Sequence, residues 1–224
     1  MKAPFITRFQ HSAWLRGLRP LRPAGAALLC AALCACGTPA QRLAVYDFGP
    51  GTIQPQPDSR LAPPLLLADV EASGALDGNA VWYRLGYADA QQLRPYAQAR
   101  WSMPPAQLLR QRLRELLGQH RNVLAPGDAL QPATLVLRLE LEEFSQLFDS
   151  SQSSVGLIRV RATLGRSGNP ARTLAQTSLV LQRPAATVDA SGGVKALALA
   201  TDALAGQLDA WLQQAAAEQI PSDH

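Results

Sequence analysis

The middle of the chain alternates. Leu135, Leu137, Leu139 and Leu141 fall two apart, and Arg138, Glu140 and Glu142 fall between them. Side chains two apart in a strand share a face, so Thr134–Glu143 is expected to be a half-buried strand of an antiparallel sheet. Gly156–Leu164 repeats the pattern with Ile158, Val160, Ala162 and Leu164 on one face. It is the hairpin partner, joined across the polar loop Asp149–Ser154, and Thr173–Gln182 follows the turn at Ser167–Pro170 as a last strand. Upstream, Leu65–Val70 is a continuous apolar run, expected to be a buried strand. Ala80–Tyr87 is aromatic and β-prone, and Arg121–Leu124 is a short strand. Leu43–Phe48 can form one further strand within residues 37–64, a stretch otherwise rich in Gly, Pro and Gln.

A helical period replaces the alternation twice. Leu109, Leu113, Leu116 and Leu117 make one stripe, with Arg110, Arg112 and Arg114 largely off it. Ser102 or Met103 is expected at its cap, with Pro104 and Pro105 in a first turn whose N–H groups lack helical acceptors, and Gly118 as the stop. A longer helix follows Asp189–Gly193, with Val194, Leu197, Ala198, Thr201, Leu204, Ala205, Leu208, Trp211 and Leu212 on one stripe. The expected order is β-β-β-α-β-β-β-β-α. It implies an α+β fold, single domain, in which a mostly antiparallel sheet is packed with two main helices.

The N-terminus follows a different logic. Lys2, Arg8, Arg16, Arg19 and Arg22 precede an apolar run of ten residues, Ala24–Leu33, and then Cys34-Ala35-Cys36-Gly37. A membrane-spanning helix needs roughly 20 apolar residues, so this run is too short to remain in a bilayer. A charged start, a short apolar middle and small residues at the end describe an export signal. Leu33 and Ala35 stand at the −3 and −1 positions of a lipobox ending at Cys36, which would carry lipid and become the new first residue. An ordinary export signal cleaved near Ala35, or a transit peptide, is the competing reading. On the lipobox reading residues 1–35 are a lipoprotein signal peptide, 36–60 a lipidated tether with the first strand, 61–218 the folded domain and 219–224 a polar tail.

Processing changes the charge. The whole chain is +4, but residues 1–35 hold five of its 21 basic residues and none of its 17 acidic ones. What is left is 16 basic against 17 acidic residues, a net charge of −1. A nucleic-acid partner thereby loses the basic surface on which such binding rests. All three cysteines, Cys30, Cys34 and Cys36, lie at this end, so the domain has no disulfide, thiol nucleophile or Cys-ligated zinc site to call on.

Candidate chemistry is sparse. Beyond the signal the histidines are His120, just after the helix stop, and His224, the terminal residue. Neither has ligand-spaced partners, and neither a G-x-S-x-G elbow nor an H-E-x-x-H pair occurs. Glu142 and Glu143 are adjacent on a strand and are expected on opposite faces, which rules out a carboxylate pair. Ser150, Ser151, Ser153 and Ser154 have no base in view, and Gly192-Gly193 lacks the Lys-Ser/Thr of a phosphate loop. Trp82, Tyr83, Tyr87, Tyr96 and Trp101 either line a lipid groove or protein interface or divide between core and surface. Phe148, beyond the clean alternation, is the candidate for an exposed anchor. Phe148, Trp101 and Tyr83 are therefore the candidate interaction residues, Cys36 the lipidation site, and no metal or cofactor other than the covalent lipid is expected.

Val81-Trp82-Tyr83-Arg84, Tyr96, Arg100-Trp101-Ser102-Met103-Pro104-Pro105, Leu108, Leu109 and Leu113 together resemble the ABC-type transport auxiliary lipoprotein family. The same order extends outward to Tyr46, the apolar strand LLLADV, a long hairpin and a C-terminal amphipathic helix, so the resemblance covers residues 36 to about 215. It implies a non-enzymatic role beside an MCE-type lipid transporter, with an MCE-domain periplasmic protein and an ABC permease and ATPase as partners. Gly37 rather than Asp after Cys36 resembles outer-membrane sorting, which implies a palmitate-bearing anchor in the outer membrane with the domain facing the periplasm. Self-association is compatible with this. Two alternatives stand beside it: a structural or assembly lipoprotein with no transport partner, and a periplasmic hydrolase, which lacks a convincing nucleophile and base.

If Cys36 is the acceptor, mass spectrometry of the N-terminal peptide finds lipid on a chain beginning at Cys36. Cys36→Ser then loses that mass and leaves the membrane fraction; an unmodified chain starting elsewhere refutes the lipobox.

Overall fold

The computed structural model describes residues 42–51, 63–72, 74–124, 127–129, 131, 134–168 and 172–217. The elements in chain order are β1 (Ala44–Tyr46), β2 (Leu65–Ala72), a 3-10 turn (Gly74–Leu76), β3 (Ala80–Leu85), α1 (Gly86–Asp89) and β4 (Ala90–Trp101). They continue with α2 (Pro105–Leu117), β5 (Val123–Leu124), β6 (Leu135–Ser150), β7 (Ser153–Arg166), β8 (Arg172–Pro184) and α3 (Ala190–Ala217).

β6 is the strand on which the sheet is assembled. One edge pairs along its length with β7, and β7 pairs with β8, both antiparallel. The other edge is shared: β2 runs parallel to Leu135–Leu141, and β3 runs parallel to Gln146–Phe148. β5 extends the sheet beyond β2, and β4 and then β1 extend it beyond β3. The expected mostly antiparallel sheet is thus corrected to a mixed one, because β1–β4, β2–β5, β2–β6 and β3–β6 are all parallel pairs. Alternation marks a half-buried strand without fixing its direction. The unbroken Leu65-Leu66-Leu67 was the available sign of a parallel neighbour.

A bulge divides β6 in two. Leu141 pairs with Val160 and Glu143 with Arg159, leaving Glu142 as the extra residue. Before it the core side chains are the odd-numbered leucines, and after it they are Phe144, Gln146 and Phe148. The bulge also corrects the expected opposition of Glu142 and Glu143. Glu142 reaches Arg161 at 2.9 Å and Glu143 reaches Arg84 at 2.9 Å, both on the face that carries Arg138 and Glu140. The expected loop at Asp149–Ser154 shrinks to the two residues Ser151 and Gln152, since Ser150 already pairs with Ser153.

β4 is the strand that the pattern did not reveal. Its sequence, AQQLRPYAQARW, buries only Ala99 and Trp101, contains Pro95 and breaks register with β3 between the pairs Ala80–Arg100 and Trp82–Pro95. Tyr87, expected at the end of a strand, lies instead in α1, where Gly86 passes so close to β6 that a Cβ would sit 3.0 Å from the Phe148 carbonyl oxygen.

α2 and α3 lie side by side over the leucine face, α2 on β2 and α3 on β6, β7 and β8. Leu109, Leu113, Leu117, Leu204, Leu208 and Leu212 are essentially fully buried there. Each such side chain contributes about 1.5–3 kcal/mol on burial. Pro104 rather than Ser102 or Met103 occupies the N-cap of α2, because Pro105 already has the φ of a first helical residue. Asp189 caps α3: its Oδ1 accepts the Gly192 N–H at 2.8 Å and the Thr187 hydroxyl at 2.8 Å. The Gly192 N–H, and after it the Thr187 hydroxyl, hold this carboxyl below the usual carboxylate range.

Two arginines tie α3 to α2 and to the segment that follows it. Arg112 grips Asp202 through Nε at 2.7 Å and Nη2 at 3.1 Å. Arg121 reaches Asp209 through Nε at 3.1 Å and Nη2 at 2.5 Å, with side chains only 5% and 14% exposed. Asp202 and Asp209 are two turns apart on α3, so both pairs fall on the side facing α2.

Glycine sets the distance between α3 and the sheet. A Cβ on Gly156 of β7 would stand 2.6 Å from Leu197 N and 2.7 Å from Ala196 C, both backbone atoms of α3, and one on Gly193 would overlap the Gln146 side chain. Gly206, by contrast, has nothing within 4 Å of that position. Gly156→Ala is therefore expected to lower unfolding stability by about 1–3 kcal/mol through forced displacement of the helix, and Gly206→Ala to raise it by up to about 1 kcal/mol. Equal effects in urea titrations would refute the close contact.

The Arg121–Asp209 pair makes a second expectation. Asp209→Ala leaves a buried guanidinium unpaired and is expected to cost about 3–5 kcal/mol, whereas replacing both residues by Met and Leu recovers most of the loss. A double variant no more stable than the single one would show that the charge pair itself matters.

Candidate functional site

The structure separates the three candidate interaction residues. Trp101, at the end of β4, is 1% exposed. Its ring packs against Phe48 at 5.7 Å and Phe144 at 5.6 Å, so it is a core residue and offers no surface to a partner. Phe148 is 7% exposed, which corrects the expectation of an exposed anchor: β6 continues past the bulge and turns Phe148 inward. Tyr83 of β3 is half-buried and meets Phe148 edge-on at 6.0 Å and Tyr96 at 4.6 Å. Tyr83 and Phe148 thus belong to one aromatic group, and Trp101 to another. Cys36 lies outside the described residues.

The Tyr83 group is tied to the end of the long hairpin by hydrogen bonds. The Tyr96 hydroxyl donates to Gln146 Oε1 at 2.8 Å, and Gln146 Nε2 donates to Ser154 Oγ at 2.8 Å. Gln146 is fully buried. Burial, then the neighbouring Tyr83 and Asp189, push the Tyr96 hydroxyl well above its ordinary pKa, so it remains a neutral donor. The chain of bonds joins β4, β6 and β7 beneath the first turn of α3, where Gly193 leaves room for the Gln146 amide. Its chemistry is that of a structural latch. Sequence reading missed Gln146 because its face depends on the bulge, and named Tyr96 only as one of an aromatic stretch because β4 was not recognised as a strand.

On the open face of the sheet Glu140, Glu142 and Glu143 are engaged by arginines. Arg84 binds both Glu143 oxygens, at 3.3 and 2.9 Å, and also donates to the carbonyls of Ala90 and Gln91 at 3.1 Å. Arg161 reaches Glu142 at 2.9 Å and Glu140 at 3.8 Å. The adjacent carboxylates thus stand opposite arginines rather than free for acid–base work.

Besides one of about 160 Å³ beside Phe48 and Met103, two cavities flank α2. One, of about 520 Å³, lies between β2 and α2 and is lined by Asp69, Val70, Gln107, Arg110 and Arg114, with Arg110 paired to Asp69 at 2.9 Å. The other, of about 180 Å³, lies between α2 and α3 beside His120, Asp202 and Asp209. Both of its carboxylates already hold arginines. Among the described residues no three His, Cys, Asp or Glu side chains stand together as metal ligands, and no helix is long and apolar enough to cross a membrane.

Comparison with known proteins places this architecture. No curated protein matches the sequence. A Xanthomonas campestris protein of family DUF330 shares the fold at a TM-score of 0.58 and 17% identity, over 81% of this chain and 91% of that one. A second solved structure, of an uncharacterized protein, also has a TM-score of 0.58 and 17% identity, over 76% of this chain and 99% of that one. At such identities the likeness concerns the fold. The family model described as "ABC-type transport auxiliary lipoprotein component" matches residues 46–209, from the last residue of β1 into α3. The stretch takes in the shared edge of β6, the long hairpin and both ion pairs between the helices, and the chain belongs to the ABC-type transport auxiliary lipoprotein family.

Proposed function

We propose that the protein is a non-enzymatic docking component of an MCE-type ABC lipid transport system, anchored by lipid on Cys36 in the outer membrane and facing the periplasm. The observation that carries this reading is the family match across almost the whole folded body, residues 46–209. The lipobox supports the anchor, and Gly37 supports the outer membrane as its destination. A lipoprotein's several acyl chains hold stably where a single chain binds reversibly.

Positioning is the mechanism. The anchor fixes one end of the chain at a leaflet, the residues between Cys36 and β1 act as a tether, and the folded body offers a surface to an MCE-domain periplasmic protein. The ABC permease and ATPase then drive transport at the other membrane. The body suits such a role because its most buried arginines are spent on joining elements: Arg112 and Arg121 hold α3, and Arg84 holds β6.

Crosslinking the tagged lipoprotein in its own envelope, followed by mass spectrometry, is expected to recover an MCE protein together with permease and ATPase subunits. Recovery of outer-membrane or cell-wall proteins alone, with the transporter present but absent from the eluate, would favour a structural lipoprotein instead.

A further inference from the structure

Among the described residues the sheet has one long open edge. β5 and β1 end the sheet elsewhere but are only two and three residues long, short edge strands resist further pairing, and the part of β2 beyond β5 carries Asp69, Glu71 and a register break against β6. The part of β4 beyond β1 carries Arg94, Pro95 and the register break against β3. β8 has 13 residues and pairs on one side only, with β7. Its register is regular from Ala175 to Pro184, and its interior, Thr173–Gln182, contains neither charge nor proline. Val180 there is a large exposed apolar side chain. The usual guards of an edge, a charge or proline in its middle, are missing.

The charges sit at the two ends instead. Arg172 and Arg183 bracket the uncharged stretch, and both are exposed. From Ser150 to Val188 the chain holds the five arginines Arg159, Arg161, Arg166, Arg172 and Arg183 and no acidic residue, in a protein whose processed chain carries net −1. No carboxylate among the described residues pairs with Arg172 or Arg183. A second copy is a poor occupant. Antiparallel self-pairing about the strand's centre would bring Arg172 of one copy beside Arg183 of the other at both ends, and opposed like charges destabilise a strand pair.

We propose that β8 captures an extended segment of a partner protein: a strand of about ten uncharged, β-prone residues with an acidic residue at each end, added edge-on to the sheet. The inference rests on the docking role proposed above and gives that role a surface. Backbone hydrogen bonds along Thr173–Gln182 supply the attachment, and the two arginines set the position along the strand whichever way the partner runs.

The test uses the full-length protein and a fluorescein-labelled twelve-residue peptide, alternating Thr and Val between terminal Asp residues, with a Lys-ended counterpart. By fluorescence anisotropy the Asp-ended peptide is expected to bind about ten-fold more tightly than the Lys-ended one. Arg172→Glu combined with Arg183→Glu, at exposed positions that leave the core untouched, is expected to reverse the preference. Amide hydrogen exchange along Thr173–Gln182 slows when the Asp-ended peptide is present. Equal affinities, no binding at about 1 mM, or a preference unmoved by the charge reversal overturns the proposal. So does a dimer in sedimentation that the same reversal alters, which would make a second copy the occupant, or binding that emerges only once residues 218–224 are removed, which would make it the chain's own tail. The pull-down can still recover the transporter when the peptide fails, which would move docking to another surface.

Discussion

A strand that buries leucines at odd positions and phenylalanines at even ones needs one residue out of step, and β6 has it at Glu142. Without a bulge there, the alternation begun at Leu135 would carry Phe144, Gln146 and Phe148 to the open face. With it, Phe144 joins Trp101 and Phe48, and Gln146 meets Tyr96. The bulge also falls between the two strands that share the β6 edge. β2 uses the segment before it and β3 the segment after it, so the break in the ladder separates two docking stretches instead of interrupting one.

The helices depend on the same arrangement. α3 approaches β7 closely because Gly156 lacks a side chain, and its first turn sits over Gln146 because Gly193 lacks one. The approach fixes the height of the helix; Asp202 and Asp209 then fix its rotation against α2 through Arg112 and Arg121. A guanidinium fork meeting a carboxylate has directional demands that leucine packing lacks. Apolar burial therefore supplies most of the stability of the layer, and the two ion pairs supply its alignment.

Much of this was legible in the sequence. The leucine alternation of β6 and β7, the stripe of α3 and the proline start of α2 mark their elements because each buries one face of a regular period. β4 was hidden because only Ala99 and Trp101 of its twelve residues are buried, too few to set a period. Strand direction was hidden because it depends on partners distant in sequence. The burial of Phe148 and Trp101 was hidden for a related reason: the bulge in β6 and the unrecognised β4 decide where they point. Cys36 lies outside the described residues, and its reading rests on the lipobox alone.

The shared edge of β6 bears on the order in which the chain can assemble. β6, β7 and β8 are joined by short turns and can zip up as a local meander, whereas β2 and β3 are separated from β6 by some fifty to seventy residues. In a chain that emerges N-terminus first, β2 has only the two-residue β5 and β3 only β4 to pair with before β6 follows. Their common edge is complete only when the one strand that can receive both has arrived.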